Sequence, residues 1–213
     1  METENINSCL MLAVDLSTPV CLGCVFKEED LKDTGIELDS HITILYAQGK
    51  RIEHTGLLSD IKQLLGKEDY EWLEGMIKND ESYKVLDSFD LGMFNNDSDY
   101  VVLKLRKGTE LYRILSLINK GLSIKFGVKS DFDSYIPHVS LAELEPGKAE
   151  GYLKSDLLRE VLEDSIFGIE DLFISYGTSN EPEDREQRFL TSEKCIDRFF
   201  RLINLKKELK ELE

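Results

Sequence analysis

Apolar and polar residues along this chain form segments with the lengths and periods of strands and helices. Ser8–Leu16 is a continuous apolar run of strand length, which predicts a buried strand. Asp39–Tyr46 alternates around β-branched residues, and Pro137–Leu144 is similar with a proline at its edge, so both predict strands. Apolar residues recur at helical spacing in Thr109–Phe126, which predicts a helix capped by Thr109.

Shorter patterns predict further elements between these segments. We expect helices from an N-cap at Ser59 through Leu65 and at Lys27–Asp33, Tyr70–Ile77, Glu150–Leu162 and Ile196–Glu213. We expect strands at Tyr83–Leu91, Tyr100–Leu105, Ile169–Tyr176 and Gln187–Thr191, and turns or loops at Asn95–Ser98 and Gly177–Arg188. Helices and strands are mixed along the chain, which is typical of the α+β class.

The order of these elements is repeated once. Strand, helix, histidine-bearing strand and helix follow each other around Cys9–Val14 and His41, and again around Val101–Leu105 and His138. No low-complexity linker separates the two halves. We therefore expect residues 1–213 to form one bilobal α+β domain with a central groove, to which each lobe contributes one histidine.

The charge balance narrows the classes of partner. Of the 213 residues, 42 are acidic and 26 are basic, which gives a net charge of −16. Such a surface repels long RNA or DNA, whose binding depends on many Lys and Arg contacts to phosphate, whereas a few local cations can still hold a small nucleotide. No apolar run reaches the ~20 residues of a membrane helix, and Met1–Ser8 is polar and acidic, so we expect a cytoplasmic protein that binds no membrane.

Two of the four cysteines, Cys21 and Cys24, form a C-x-x-C pattern. This pattern occurs in redox sites and in half of some zinc sites, but no second C-x-x-C or H-x-x-x-H is present to complete a zinc site. The flanking residues are apolar, so we expect reduced, buried cysteines and no metal or other cofactor. The remaining two cysteines are Cys9 and Cys195.

Two of the three histidines open the same short pattern of histidine, apolar residue, hydroxyl residue, apolar residue. The two copies are His41-Ile42-Thr43-Ile44 and His138-Val139-Ser140-Leu141. The coincidence probability of such a doubling is on the order of one in a thousand, although a single copy would most often belong to an ordinary strand. The third histidine, His54, lacks the pattern, and we interpret it as a surface residue.

The spacing of the pattern has a physical consequence. Residues i and i+2 of a strand share a face, so each strand presents an imidazole and a hydroxyl to one side and packs its apolar residues on the other. One neutral imidazole can accept a proton while a second, protonated one donates, and both forms are accessible near neutral pH. Hydroxyls can hold the non-bridging oxygens of a phosphoryl group. We therefore interpret His41, Thr43, His138 and Ser140 as a catalytic set for phosphoester chemistry.

The doubled motif, the early apolar strand Leu10–Val14 and the proline before His138 resemble the 2H phosphoesterase superfamily. This resemblance implies a LigT-like fold, with two antiparallel sheets and flanking helices around a central groove. It also implies a metal-independent phosphodiesterase in which the four motif residues are catalytic. The bacterial RNA-cyclic-phosphodiesterase branch usually has an arginine beside the first strand, and this chain has Ser8-Cys9-Leu10 there.

The acidic composition and the short lead strand are more similar to phage-encoded 2H proteins, some of which degrade cyclic nucleotide signals of bacterial defence. The resemblance thus implies hydrolysis of cyclic di- or oligonucleotides, as in an anti-CBASS-like protein acting in the host cytoplasm. Two alternatives stay open: an RNA 2′,3′-cyclic phosphodiesterase that processes RNA ends, and a protein that sequesters nucleotides without turnover. Candidate substrate-binding residues are Lys50 and Arg51, as phosphate contacts, and Tyr135, which could stack a base or pack against the neighbouring lobe.

Overall fold

The computed structural model describes residues 6–17, 22–79, 81–129, 134–177 and 186–191. Cys21, Cys195, the expected helix Ile196–Glu213 and most of the expected loop after Gly177 lie outside the described residues.

Strands and helices are mixed along the chain, as the sequence patterns predict. The strands are β1 (Asn7–Leu16), β2 (Leu31–Ile36), β3 (His41–Ala47), β4 (Tyr83–Lys84), β5 (Phe89–Asn95), β6 (Asp99–Leu105), β7 (His138–Leu144), β8 (Ile166–Gly177) and β9 (Glu186–Phe189). The helices are α1 (Leu57–Lys78), α2 (Val85–Ser88), α3 (Glu110–Phe126), α4 (Ala149–Leu153) and α5 (Asp156–Glu163), with a 3-10 turn at Glu28–Asp30.

The strands form two antiparallel sheets. In the first sheet the order is β3-β1-β8-β4, with β9 also paired to β8, and in the second it is β2-β7-β6-β5. The main hydrophobic core combines residues of both sheets with the apolar faces of α1, α3 and α5. The predicted α+β class, with two antiparallel sheets and flanking helices, is confirmed.

The opposite face of the first sheet carries a smaller apolar cluster. Met11 and Ala13 of β1 pack there with Phe173 of β8, and all three are at most 2% exposed. These residues alternate with the main-core residues Leu10 and Leu12, as expected for a strand buried on both faces. The first sheet therefore has a second buried face, on the side that carries Thr43.

The helix with the clearest apolar period is confirmed. Its predicted cap is also correct, because the Thr109 hydroxyl oxygen accepts a hydrogen bond from the Tyr112 backbone N–H at 3.2 Å. Gly127 ends this helix with a φ of 59°, a left-handed conformation in which a side chain would be strained.

Several local predictions are wrong. The helix expected from Ser59 begins at Leu57, after Gly56, and α1 continues through both predicted helices with a kink at Gly66, where φ is 72°. The helix expected at Lys27–Asp33 is a 3-10 turn followed by β2, a strand that the polar sequence LKDTGI did not indicate. Cys24 is exposed rather than buried.

Two predicted elements are each divided. The strand expected at Tyr83–Leu91 is interrupted by the short helix α2, and the helix expected at Glu150–Leu162 is split into α4 and α5. Ser155 explains the second division, because its hydroxyl caps α5 by accepting from the Leu158 N–H at 3.4 Å. None of the helices in the described part of the chain has both the length and the apolar character needed to cross a membrane.

Candidate active site

The two motif strands come from different sheets and contact each other. β3 is the edge strand of the first sheet and pairs with β1, while β7 lies inside the second sheet between β2 and β6. The segment 37–40 joins β2 to β3 and so carries the chain from the second sheet to the first, ending at His41. His41 and His138 therefore stand at the beginnings of two neighbouring strands, although 97 positions separate them in the sequence.

Both motif strands contain a register shift at the same position of the motif. Leu10 pairs with Leu45 and Met11 pairs with Thr43, so Ile44 has no partner on β1. In the second sheet, Val101 pairs with Ala142 and Val102 with Ser140, so Leu141 has no partner on β6. The fourth motif residue is thus a β-bulge in both strands.

The bulged residues also share their hydrogen bonding. The carbonyl of Ile44 accepts a bond from the Asn119 side-chain amide of α3 at 2.7 Å. The carbonyl of Leu141 accepts a bond from the Glu37 backbone N–H at 2.9 Å. Each bulge is therefore stabilised from outside its own strand pair, and the two motif strands share this backbone geometry.

Burial along the two strands follows the motif residue by residue. The apolar members are buried as predicted, with exposures of 0% for Ile42, Ile44 and Val139 and 1% for Leu141. The four residues expected to open into the groove are half-buried: His41, Thr43, His138 and Ser140. The bulges explain why two consecutive buried residues then follow in each strand, since a bulge interrupts the alternation of faces.

The two imidazoles are oriented by equivalent hydrogen bonds. Nδ1 of His41 lies 2.7 Å from the carbonyl oxygen of Asp39, and Nδ1 of His138 lies 2.8 Å from that of Ile136. A carbonyl oxygen only accepts, so each Nδ1 carries a hydrogen and donates it. In the neutral ring Nε2 is then the proton acceptor, and it has no hydrogen bond to any of the described residues. Both rings are thus prepared for proton transfer through Nε2.

The electrostatic setting of His138 favours its neutral form. Burial lowers the pKa of His138, and the hydrogen bond to the Ile136 carbonyl opposes this effect. The positive charges of His41 and Lys104 lower the pKa of His138 further.

Each hydroxyl of the motif follows a histidine by two residues on the same strand face. The Thr43 hydroxyl lies 3.8 Å from the Cys9 sulfur on β1, within hydrogen-bonding range for sulfur. Ser140 lies opposite Val102 and shares the face of β7 with His138. His41 and Thr43 thus share one face of β3, and His138 and Ser140 share one face of β7, on two strands that contact each other.

Tyr135 links the two motif strands instead of standing free in the groove. Its hydroxyl donates to the Thr43 carbonyl at 3.1 Å, and its ring packs against the main core. The Tyr112 hydroxyl in turn donates to the Tyr135 carbonyl at 3.5 Å. Burial, followed by the nearby Tyr112 and Cys9, raises the pKa of Tyr135 far above its usual range, so the phenol keeps its proton.

Lys50 and Arg51 lie beyond the end of β3 that is remote from His41. The Lys50 ammonium donates to the Phe126 carbonyl. The Arg51 guanidinium lies 4.4 Å from the centre of the Tyr176 ring and pairs with Glu186 at 3.7 Å. Because β3 alone spans about 20 Å, the structure does not bring these two cations to the histidines.

Two residues beside His138 on the second sheet were not predicted from the sequence. Lys104 on β6 pairs in register with His138, and the Phe94 ring on β5 meets the His138 ring edge-to-face with a centroid distance of 4.8 Å. Neither residue belongs to a recognisable motif, and only the strand register reveals them. His54 is exposed, as expected. Among the residues that the structure describes, no group of three or more His, Cys, Asp or Glu side chains is arranged as a metal site.

Searches with the sequence match no protein-family model and no curated protein. Solved structures similar to this one include E. coli LigT complexed with 3′-AMP, at 14% identity over 86% of this chain and 95% of LigT, with a TM-score of 0.47. A crystal structure of a phosphoesterase has 14% identity over 86% of this chain and 95% of that chain, with a TM-score of 0.44. Kluyveromyces marxianus Usb1 with uridine monophosphate has 12% identity over 88% of this chain and 99% of Usb1, with a TM-score of 0.42.

Proposed function

We propose that this protein is a metal-independent phosphodiesterase of the two-histidine type. The observation that carries this proposal is the matched pair of imidazoles, each fixed through Nδ1 by the carbonyl two residues before it and each with Nε2 available. A pair of this kind supplies both proton transfers that phosphodiester hydrolysis requires, one to a base and one from an acid.

The roles of the two histidines follow from their surroundings. His138 has a lowered pKa and is neutral at neutral pH, so its Nε2 takes the proton from the attacking water. The water oxygen forms a bond to phosphorus while the bond from phosphorus to the leaving oxygen breaks. His41, in its protonated form, gives its Nε2 proton to that leaving oxygen. After the reaction the two rings have exchanged protonation states, and solvent restores them.

Thr43 and Ser140 stabilise the phosphoryl group during this exchange. Each hydroxyl lies two residues after a histidine on the same strand face, so both can donate to the non-bridging oxygens between base and acid. Negative charge on those oxygens makes such hydrogen bonds stronger than neutral ones. The Tyr135 hydroxyl and the Asn119 side-chain amide donate hydrogen bonds to main-chain carbonyls of β3 and so keep the strand of Thr43 in place.

The proposed substrates are cyclic di- or oligonucleotides in the cytoplasm. We expect the protein to bind small nucleotides and not long nucleic acids. The net charge of −16 supports this choice over long RNA or DNA. The resemblance to phage-encoded 2H proteins supports a role in degrading cyclic nucleotide signals of bacterial defence.

The test is a panel of substrates assayed with and without EDTA. We expect cyclic di- or oligonucleotides to be hydrolysed at the same rate in both conditions. Loss of turnover in EDTA would contradict metal independence, and turnover confined to RNA 2′,3′-cyclic ends would replace the proposed substrate class. Nucleotide binding without any turnover would show a sequestering protein instead of an enzyme.

A further inference from the structure

Lys104 places a positive charge on the face of the second sheet that carries His138. It lies directly opposite His138 in the antiparallel pair of β6 and β7, so the two side chains share one face. It is half-buried, in a chain whose net charge is −16. A half-buried ammonium on the face that carries a proposed phosphate site requires an explanation.

Three features of β5 hold this ammonium in one position. Its Nζ donates to the Met93 carbonyl at 2.9 Å and lies 4.4 Å from the centre of the Phe94 ring. Gly92 leaves space for the Lys104 side chain, because a Cβ at that position would lie 3.0 Å from Cε and 3.2 Å from Nζ of Lys104. The lysine is thus directed across the sheet, away from β7.

No carboxylate neutralises this ammonium among the described residues. Its partner in register on β5 is Asp90, and the Asp90 carboxylate instead accepts a hydrogen bond from Nε of Arg106 at 2.8 Å. Only one of the three hydrogens of the ammonium is used by the Met93 carbonyl, so two remain to be donated to a ligand.

We propose that Lys104, positioned by Gly92 and Phe94, binds a second phosphate that flanks the scissile one on the His138 side. This inference rests on the proposed function and narrows its substrate class to nucleotides with at least two phosphates. The ammonium is anchored over β5, two strand spacings or about 10 Å from the backbone of β7. This distance is roughly the length of the sugar that joins two phosphates of a nucleotide chain. The ammonium can therefore reach a phosphate next to the one between the histidines.

The experiment compares the binding of a nucleoside 3′-monophosphate and a nucleoside 3′,5′-bisphosphate by calorimetry at one fixed salt concentration. We expect the wild-type protein to prefer the bisphosphate. Lys104→Met should reduce that preference about tenfold to a hundredfold, since it removes charge-assisted hydrogen bonds to one phosphate. Lys84→Met is the matched control, because Lys84 also donates to a carbonyl from a strand, at 3.3 Å to Glu163, but lies on β4 at the far edge of the first sheet.

Gly92→Ala provides a second variant that keeps the charge and displaces it. Its methyl group would press on the end of the Lys104 side chain, so the same preference should fall while the binding of the monophosphate changes less. If Lys104→Met weakens the binding of both nucleotides equally, the second-phosphate site is overturned and the lysine is assigned to the scissile phosphate. Wild-type protein that binds neither nucleotide would instead overturn the proposed function, and the subsite with it.

Discussion

The two histidine strands have the same motif, the same bulge and the same Nδ1 hydrogen bond, but they stand in different surroundings. β3 is an edge strand, and the neighbours of its groove face are the apolar Met11 and Ala13 of β1. β7 is an inner strand, and its groove face adjoins Lys104 and the Phe94 ring. A repeated backbone thus carries two unlike side-chain environments.

In the proposed mechanism, this difference allows two similar strands to supply the two unlike proton transfers of one reaction. Hydrolysis needs one base and one acid, and two imidazoles in identical settings would compete for the same proton. The burial of His138 and the cationic charge beside it favour the neutral form of that ring. In the proposed mechanism, the unlike neighbours rather than the motif therefore decide which histidine accepts the first proton.

The largest expected effect comes from removing either histidine. His41→Ala and His138→Ala should each lower kcat/KM about 100-fold or more on a cyclic dinucleotide, because acid and base are both needed. The exposed His54 is the control, and His54→Ala should retain the wild-type rate. Near wild-type activity of either motif variant at neutral pH would remove that histidine from the mechanism.

A substrate with a good leaving group sharpens the comparison of the two histidines. A p-nitrophenyl phosphodiester needs little help from an acid, because its leaving oxygen is stable without a proton. We therefore expect His41→Ala to recover much of its lost rate on this substrate and His138→Ala to recover little. The reverse pattern would exchange the roles of base and acid.

The hydroxyl residues should have the next largest effect. Thr43→Ala and Ser140→Ala each remove one hydrogen bond to a charged oxygen, about 1.5–3 kcal/mol, so kcat should fall roughly 10- to 100-fold. Thr43→Ser keeps the hydroxyl and should be close to wild type. A Thr43→Ser variant as inactive as Thr43→Ala would show that the methyl group is what matters there.

Tyr135→Phe tests the link between the two motif strands. The change removes the hydrogen bond from Tyr135 to the Thr43 carbonyl, which should cost about 1 kcal/mol of stability and lower kcat several-fold with little change in KM. The control is Tyr46→Phe, since Tyr46 is 41% exposed and should tolerate the loss of its hydroxyl. Thermal unfolding and steady-state kinetics measure the two effects, and a change in KM alone would favour a substrate contact instead.

The smallest expected effect is a shift in pH dependence. His138 acts as base only when neutral, and its pKa is lowered, so kcat/KM should be lost only as pH falls below the ordinary histidine value of about 6.5. Lys104→Met removes a charge that lowers this pKa, so the acidic limb of the profile should move to higher pH. Lys84→Met should leave the limb in place. An unmoved limb in Lys104→Met would mean that another group governs it.

The parts of the site that the sequence predicted are those that depend on local periodicity. Alternation of faces places His41 with Thr43 and His138 with Ser140 wherever the strands lie, and the spacing of apolar residues likewise predicts α3. The position of Lys104 beside His138 depends on strand register instead, because nothing in the segment VVLKL indicates which strand will pair with it.

The same contrast between local pattern and tertiary pairing explains which sequence-based predictions were wrong or incomplete. β2 has few apolar residues and contains Gly35, so its identity as a strand comes from pairing with β7 rather than from its own pattern. The role of Tyr135 depends on a bond to a carbonyl in the other sheet, which no local pattern encodes.

The paired bulges change which side chains of the motif strands follow the hydroxyls on the same face. Without a bulge, every second residue of β3 would face the groove, and Leu45 and Ala47 would extend the lining beyond Thr43. With it, both residues turn into the main core, and Leu144 does the same in β7. Their places on the face of the hydroxyls are taken by Tyr46, which pairs with Cys9, and by Glu143, which pairs with Tyr100. The bulges therefore replace apolar side chains beyond the hydroxyls with a phenol and a carboxyl group, which can form hydrogen bonds.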